Sequence, residues 1–382
     1  MPRTLDDVPF IDSLDPRFGR DPDTLRDTLA AMAVDDAVVR GPYGAVVLRH
    51  ADVEAALRDP RLRVVGLDLL HLQGVTSGPT HDWFRQIMFS HDGPAHLRLR
   101  RLVSRAFTPR AIARHEPHMR GLVATLAPDS GTFDVVEVLA TPYPIRVMAH
   151  MIGVPADEVA AIEEWTEVLG YTFGVQLGEH IGEVDVAVVE LGAYLDELLD
   201  RVAPGSDGLL PTLLADDGDD RLTRDEVAIM VGNLLYALVV DGRWGPGLVD
   251  PAEARAVVEE AGRLLPAAPG VTRIVTEDME IAGVVLPAGT AVSLISSVAN
   301  RDPAAFAEPD RFDPHREGEP AHFLFGAGPH YCLGASLARR EMQVAIEVLA
   351  GRWASVELAG PVSWSPPNLG IVGPTSMPLT VS

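Results

Sequence analysis

The sequence contains a single cysteine, Cys332, and no lysine among its 382 residues. One cysteine excludes an intrachain disulfide, a paired-cysteine redox centre and a cysteine-rich zinc site. Without lysine, every fixed positive charge is an arginine, which reflects amino-acid usage and says little about mechanism. A lone cysteine is ordinarily a small buried apolar side chain, so only its neighbours in the sequence can indicate another role.

Positive charge is scarce overall, because 55 acidic residues outnumber 31 basic ones and leave a formal net charge of -24. Such a surface repels phosphate backbones and anionic lipid headgroups, so we expect no nucleic-acid partner and no membrane partner. A long apolar run is missing too. The longest, near residues 227–240, contains a glycine and an asparagine and is too short to span a bilayer.

The chain shows no sign of targeting or of division into parts. Its first twenty residues contain no basic stretch followed by an apolar one, so we expect no signal peptide and a soluble, cytoplasmic protein. Glycine and proline are scattered, and no repeat or linker interrupts the sequence. We therefore predict a single domain over residues 1–382.

The residue pattern predicts a mainly α-helical chain with a minor β section. A short strand at residues 44–48 precedes a helix at residues 51–59, and helices dominate residues 96–262. Thr223 and Glu226 have the spacing of a capping box ahead of the longest apolar run, which predicts a helix start. Beyond Gly270 we predict two strands around a turn at residues 287–289, a helix from near Leu333 to just before Gly351, and a strand-like tail from Pro361.

The residues around Cys332 form a glycine-rich loop that leads directly into this last predicted helix. A thiolate that ligates haem iron needs a rigid, dry loop with amide donors directed at the sulfur. Gly326, Gly328 and Gly334 let the backbone approach a metal and its ring closely. Phe325 can pack beside the sulfur and exclude water, and the following helix presents its positive N-terminal end to the thiolate.

This segment closely resembles the cysteine-ligand loop of cytochrome P450. The pattern F-G-x-G-x-H-x-C-x-G-x-x-L-A-R-x-E can be read without a gap from Phe325 to Glu341. The resemblance implies the cytochrome P450 fold, which is mainly α with a minor β section, and it covers nearly the whole chain. It also implies that Cys332 is the axial thiolate of haem b, iron protoporphyrin IX, with Phe325, Gly326 and Gly334 shaping the cofactor site.

The resemblance assigns four further residues to the two haem propionates. His96 and Arg100 match the family's H-x-x-x-R, a spacing that places both side chains on one helical face. Arg273 matches the arginine before the family's E-D turn, and His330 lies two residues before the ligand. Cationic and hydrogen-bonding partners of this kind are what buried carboxylates require.

A structural motif of the family is present as well. Glu260 and Arg263 match E-x-x-R, and the resemblance implies that this ion pair closes with Arg316. Its role is to hold the fold together, and it takes no part in the chemistry.

The central distal helix departs from the family pattern A-G-x-[DE]-T-[TS]. Leu238 stands in the place of the glycine that leaves room for bound oxygen, Val240 in that of the acid, and Asp241 in that of the alcohol. Gly242 and Pro246 then predict that the helix ends or kinks. The segment between Ala237 and Glu260 is also shorter than the family's usual spacing by about fifteen residues, or roughly 22 Å of helix at the usual rise per residue.

Three functions stay open at this point. The first is a monooxygenase or oxidase of a small-molecule secondary metabolite, with protons supplied through Asp241, ordered water or a substrate hydroxyl. The second is non-redox chemistry such as cyclisation, dehydration or isomerisation, and the third is an auxiliary partner of another biosynthetic enzyme. The retained Cys332 and propionate set weigh against the third. Asp241 is the predicted catalytic carboxylate, with ending the helix as its alternative role.

The resemblance also indicates partners and a specificity region. Besides a small-molecule substrate, we expect a ferredoxin with its ferredoxin reductase, because an arginine-rich stretch steers an acidic partner. A solvated basic helix is the alternative interpretation. We expect substrate specificity in the loop after Val64 and in residues 167–185 and 291–297. The arginine-rich stretch proposed for the ferredoxin contains Arg98, Arg100, Arg101, Arg105, Arg110, Arg114 and Arg120. Arg339 and Arg340, at the start of the last predicted helix, add to it.

Overall fold

The computed structural model describes residues 3–19, 22–173, 177–201, 235–365 and 370–382. The predicted capping box at Thr223 and Glu226 lies outside these residues. Helices make up most of the described chain, as the sequence predicts. The α-helices are Pro22–Ala33, His50–Arg58, Asp68–His71, Pro79–Phe84, Gly93–Ser104, Pro109–Ile112, Glu116–Leu126, Pro142–Ile152, Val159–Leu169, Leu177–Arg201, Pro251–Leu264, Ser296–Ala299 and Ala335–Ala350, and residues 235–240 are helical as well.

Within the described residues, the β section consists of four small sheets. The largest has the strand order Val38–Arg40, Gly44–Val47, Ala291–Leu294, Val271–Val275 and Leu62–Val64, and only its Gly44–Val47 and Ala291–Leu294 pair is parallel. The other sheets are Arg3–Thr4, Val284–Leu286 and Met279–Ile281; Val356–Leu358, Pro378–Val381 and Gly131–Asp134; and Ser363–Trp364 with Pro374–Ser376.

The two strands predicted around the turn at residues 287–289 are present, but they belong to different sheets. Val284–Leu286 forms a hairpin with the preceding strand Met279–Ile281, where Ile281 faces Val284 across a two-residue loop. Ala282 and Gly283 in that loop both have positive φ, the conformation that the tightest hairpin turns require. Val284–Leu286 therefore pairs with the strand that precedes it in the chain. The strand that follows the turn, Ala291–Leu294, belongs to the five-stranded sheet.

The helix Ala335–Ala350, here called the cysteine helix, lies at the centre of the largest apolar cluster. It packs against Glu116–Leu126 on one side and Pro251–Leu264 on another, and residues are buried around most of its circumference. Helices that are apolar on nearly all faces lie in the core of large proteins. The cysteine loop, residues 325–334, thus leads into the most deeply buried helix. No helix of the described residues is long and apolar enough to cross a membrane.

The central helical segment, residues 235–240, ends where the sequence predicts. Gly242 has a φ of +62°, and the amide of Arg243 donates to the Leu238 carbonyl oxygen at 2.9 Å, which closes the helix. One turn of 3₁₀ helix at Pro246–Val249 then packs on the cysteine helix. Asp250 caps Pro251–Leu264 by accepting the Ala252 amide at 2.7 Å. Residues 241–250 are therefore the whole connection between these two helices.

Candidate functional site

The cysteine loop is a tight, hydrogen-bonded turn. The Cys332 amide donates to the Phe325 carbonyl oxygen at 3.0 Å, and the Tyr331 amide donates to that of Gly328 at 3.1 Å. Gly328 has a φ of +72°, and a Cβ there would collide with the Leu57 carbonyl oxygen. A glycine is required at this position, both for its conformation and for the close approach of the neighbouring backbone.

Cys332 is half-buried and packs against the largest apolar cluster, which also contains Phe325. Gly334 occupies the N-cap position of the cysteine helix, so the thiol lies just before the positive end of a helix of 16 residues. The predicted setting for a thiolate, an apolar loop at a helix N-terminus, is therefore present in the structure.

The structure brings the four predicted propionate partners to one place beside this loop. The rings of His96 and His330 lie 4.0 Å apart, and Arg100 Nη2 donates to the Tyr331 carbonyl oxygen at 2.5 Å. Arg273 lies in the strand register opposite Val64. These side chains come from a helix, the cysteine loop and the largest sheet, three segments that only the fold brings together.

Asp92 lies at the centre of this group, and sequence reasoning missed it. His330 Nε2 is 2.8 Å from Asp92 Oδ1, and the Val64 amide donates to Oδ2 at 2.8 Å. Burial alone would raise the pKa of Asp92, but these two hydrogen bonds outweigh it and lower the pKa. The available signal was its N-cap position before Gly93–Ser104, one turn ahead of His96.

One buried group in the cluster has a polar atom that the described residues leave unsatisfied, and a second buried group has no carboxylate partner among them. His96 is 1% exposed, and its Nε2 makes no hydrogen bond within the described chain. Burial, with smaller contributions from His330 and Arg100, lowers the pKa of His96 to about 4. Arg273 is also buried, which lowers its pKa, and it forms no ion pair with any carboxylate of the described residues. A neutral imidazole and a buried guanidinium in need of acceptors fit the two carboxylates of a haem.

The E-x-x-R prediction is confirmed in detail. Arg263 Nε and Nη2 each donate to the Glu260 carboxylate at 2.8 Å, and Arg316 Nε donates to the same group at 2.9 Å. The Asp313 amide adds a fourth bond at 2.9 Å. Glu260 and Arg263 are almost completely buried, and a buried ion pair is stable only when its hydrogen bonds are satisfied in this way.

Two of the three predicted specificity segments pack together. Asp185 Oδ1 accepts the Thr80 amide at 2.9 Å and its hydroxyl at 2.6 Å, which ties the helix Leu177–Arg201 to Pro79–Phe84. A separate apolar cluster lies beside this contact, and its buried members are Leu70, Val75, Phe84, Leu177 and Val184. The loop after Val64 and the described part of residues 167–185 therefore form one joined surface.

The distal residues lie differently from the family pattern. Leu238 is completely buried, whereas Val240, in the place of the acid, is 53% exposed. Asp241 lies exposed in the turn after the helix, and its amide donates to the Ala237 carbonyl oxygen at 3.0 Å. Burial raises the pKa of Asp241, while the charges of Arg243 and Arg301 act in the opposite direction. Neither arginine is among the residues predicted to bind the haem.

Comparison with known proteins agrees with this architecture. The sequence profile of the family described as Cytochrome P450 matches residues 254–350, from the E-x-x-R helix to the end of the cysteine helix. The luteothin monooxygenase of Streptomyces thioluteus is 32% identical over 98% of this chain and 96% of its own length. The erythromycin C-12 hydroxylase of Saccharopolyspora erythraea is 34% identical over 92% of this chain and 90% of its own.

Solved structures are equally similar. P450BioI, in a complex with an acyl carrier protein ligated to hexadec-9Z-enoic acid, superimposes with a TM-score of 0.85 at 28% identity, over 96% of this chain and all of that one. The chain belongs to the cytochrome P450 family. It is a P450-type oxidoreductase, and membership of the family implies a haem-iron cofactor.

Proposed function

We propose that the protein is a haem b-dependent monooxygenase of a small-molecule secondary metabolite. The observation that carries the proposal is a complete cysteine loop beside a buried imidazole with an unsatisfied nitrogen, His96, and a buried guanidinium without an ion-pair partner in the described chain, Arg273. Its relatives, a luteothin monooxygenase and an erythromycin hydroxylase, support the same reaction class.

Cys332 would hold the iron through its sulfur, and His96, Arg100, Arg273 and His330 would hold the propionates. When bound, the haem supplies the redox chemistry that activates dioxygen. The chain's own residues prepare the site. Phe325 excludes water from the sulfur, and the N-terminus of the cysteine helix stabilises its negative charge.

Proton supply is the step at which this chain differs from the family pattern, because the distal acid and alcohol are replaced by Val240 and Asp241. In the relay proposal, Asp241 holds a proton at its carboxylate and passes it toward the distal side. Its exposed position after the helix end supports the alternative, in which Asp241 ends the helix and ordered water or a substrate hydroxyl moves the proton. The fully buried Leu238 keeps that part of the core apolar and excludes water in both cases.

A specific observation favours a second candidate function, non-redox chemistry such as cyclisation, dehydration or isomerisation. The place of the family's distal acid is occupied by Val240, which cannot carry a proton and is half exposed. An enzyme that does not cleave dioxygen has no need of an acid there.

One experiment separates these functions. The purified protein is examined by ferrous carbon-monoxide difference spectroscopy and assayed on candidate substrates with and without reductant, under air and under ¹⁸O₂. We expect a strongly red-shifted Soret band and reductant-dependent product that contains ¹⁸O. Unlabelled product formed anaerobically without reductant would establish the non-redox function. Inactivity on every substrate, with another enzyme's activity dependent on this protein, would establish an auxiliary role.

The proposed electron donor is an acidic ferredoxin reduced by its ferredoxin reductase. Within the described chain, Arg98, Arg101, Arg110 and Arg114 are exposed and form no ion pair, whereas Arg120, Arg339 and Arg340 are paired with glutamates. The proposed binding surface for ferredoxin therefore consists of these four exposed arginines. Reversing Arg110 and Arg114 to Glu should slow reduction by ferredoxin and flatten its dependence on salt. Unchanged kinetics would remove this surface from consideration.

A further inference from the structure

Glu259 lies next to the E-x-x-R glutamate but belongs to a different network. Its carboxylate accepts two hydrogen bonds from Arg339, from Nε at 2.6 Å and from Nη2 at 2.9 Å. It also lies 3.1 Å from His322 Nε2. A bidentate pair between arginine and carboxylate is among the strongest and most directional polar contacts in proteins. Glu259 therefore fixes both the position and the plane of the Arg339 guanidinium.

Arg339 extends this contact to two residues of the cysteine loop, Phe325 and Tyr331. Its Nη1 donates to the Tyr331 hydroxyl at 2.7 Å, and Tyr331 directly precedes Cys332. The guanidinium carbon lies 4.5 Å from the centre of the Phe325 ring, at the start of the loop. The Phe325 carbonyl oxygen in turn accepts the Cys332 amide. One side chain thus contacts both the first residue of the loop and the residue directly before Cys332.

His322 connects Glu259 to the chain just before the loop. The Leu324 amide donates to His322 Nδ1 at 3.3 Å, so Nδ1 is the acceptor and Nε2 carries the proton that is donated to Glu259. Glu259 consequently holds the segment before the loop through His322, and it holds Phe325 and Tyr331 of the loop through Arg339.

We propose that Glu259 is a positioning residue for Cys332, which holds the cysteine loop closed around the thiolate by fixing Arg339 and His322. The charge state of the carboxyl supports this role. Burial alone would raise the pKa of Glu259, but the hydrogen bonds from His322 and Arg339 and the charge of Arg339 lower it to about 2. The residue is therefore an anion throughout the neutral range. The inference rests on the proposed ligation of haem by Cys332.

The chain offers a control glutamate on the helix that also bears Arg339. Glu347 is a buried glutamate of the cysteine helix and forms ion pairs with Arg120 and Arg340. Its partners lie on the cysteine helix itself and on Glu116–Leu126. Glu347→Gln therefore removes a buried anion of the same kind without disturbing the contacts of Glu259, Arg339 and Tyr331.

The test compares Glu259→Gln with Glu347→Gln in the holoenzyme. The first readout is the share of the ferrous carbon-monoxide complex with the strongly red-shifted Soret band. The second is the rate at which iodoacetamide alkylates the protein at fixed pH, which reports on Cys332 alone because the chain has no other cysteine. We expect Glu259→Gln to lower the red-shifted share and to raise the alkylation rate by about tenfold, as loss of a charge-assisted hydrogen bond implies. Glu347→Gln should lower the melting temperature and leave both readouts at their wild-type values.

Two further variants isolate the route and guard against misfolding. Tyr331→Phe removes only the hydroxyl that Arg339 contacts, at an exposed side chain, and should move both readouts in the same direction by a smaller amount. Adding Glu259→Gln to Arg339→Gln should cause a further change smaller than that of Glu259→Gln alone, because only the contact with His322 is left to lose. Equal readouts for Glu259→Gln and Glu347→Gln, or unchanged readouts in Tyr331→Phe, would overturn the proposal. A wild type without the red-shifted band would instead overturn haem ligation by Cys332.

Discussion

The two sides of the site differ in how much of the family pattern they retain. On the side of Cys332, the cysteine loop, the four residues predicted to bind the propionates and the E-x-x-R network are all present. On the distal side, the central helix ends after Val240, and the next carboxylate, Asp241, is exposed. The first side depends on many residues from distant segments that support one another, so a change in one disturbs the rest. The second depends on a few consecutive residues, where chemistry can vary without cost to the fold.

The largest expected effect lies at the ligand itself. Cys332→Ser should abolish the red-shifted ferrous carbon-monoxide band, because an alcohol is a poor substitute for a thiolate ligand of haem iron. Absorption spectra of the wild type and the variant measure this directly. A wild type that purifies colourless and takes up no added haemin would show that the retained side no longer serves a metal.

The next effect concerns stability. Glu260→Ala leaves Arg263 buried without its partner and should lower the free energy of unfolding by about 3–5 kcal/mol. The matched control, Glu308→Ala, removes an exposed ion pair with Arg311 and should cost less than about 1 kcal/mol. Chemical denaturation of the three proteins provides the measurement. Equal losses of unfolding free energy in the two variants would show that the buried E-x-x-R network stabilises the fold no more than an exposed ion pair does.

A smaller effect is expected where the two specificity segments join. Asp185→Ala leaves the buried Thr80 amide and hydroxyl without their acceptor, which costs about 1–3 kcal/mol. Because the contact ties together two segments predicted to contribute to substrate specificity, substrate association measured by stopped-flow absorbance should become faster. Asp196→Ala on the same helix removes an exposed carboxylate that does not bond Thr80, and it should leave both quantities unchanged. Slower or unchanged association in Asp185→Ala would separate this contact from substrate entry.

The smallest effect is expected at Asp241. Asp241→Asn should leave turnover essentially unchanged if the residue only ends the helix, whereas a proton relay would make turnover fall by about 100-fold. Its exposure favours the small effect. Steady-state turnover and peroxide release, measured with unchanged haem spectra as the control, decide between the two roles. A 100-fold loss would make the distal side an altered catalytic site that still uses a carboxylate.

The sequence predicted the retained side far better than the details around it. The cysteine loop and E-x-x-R are contiguous patterns whose glycines and charges have one structural use, so residue order alone revealed them. Asp92 escaped because an aspartate before a glycine and a proline looks like an ordinary helix cap, and only the fold places it against His330. The crossing between sheets at Gly289 escaped for a related reason, since strand pattern does not specify which partner a strand will choose.

The position of Gly328 has a consequence for how the protein is made. Gly328 lies against the Leu57 carbonyl oxygen, and His330 reaches Asp92 across 238 residues of sequence. The loop therefore needs its contacts with Leu57 and Asp92 to reach its final shape. Those two residues are synthesised long before the loop itself. Contacts of such long range form slowly in folding. Haem absorption should accordingly appear after synthesis of the polypeptide is complete, as a late step of maturation.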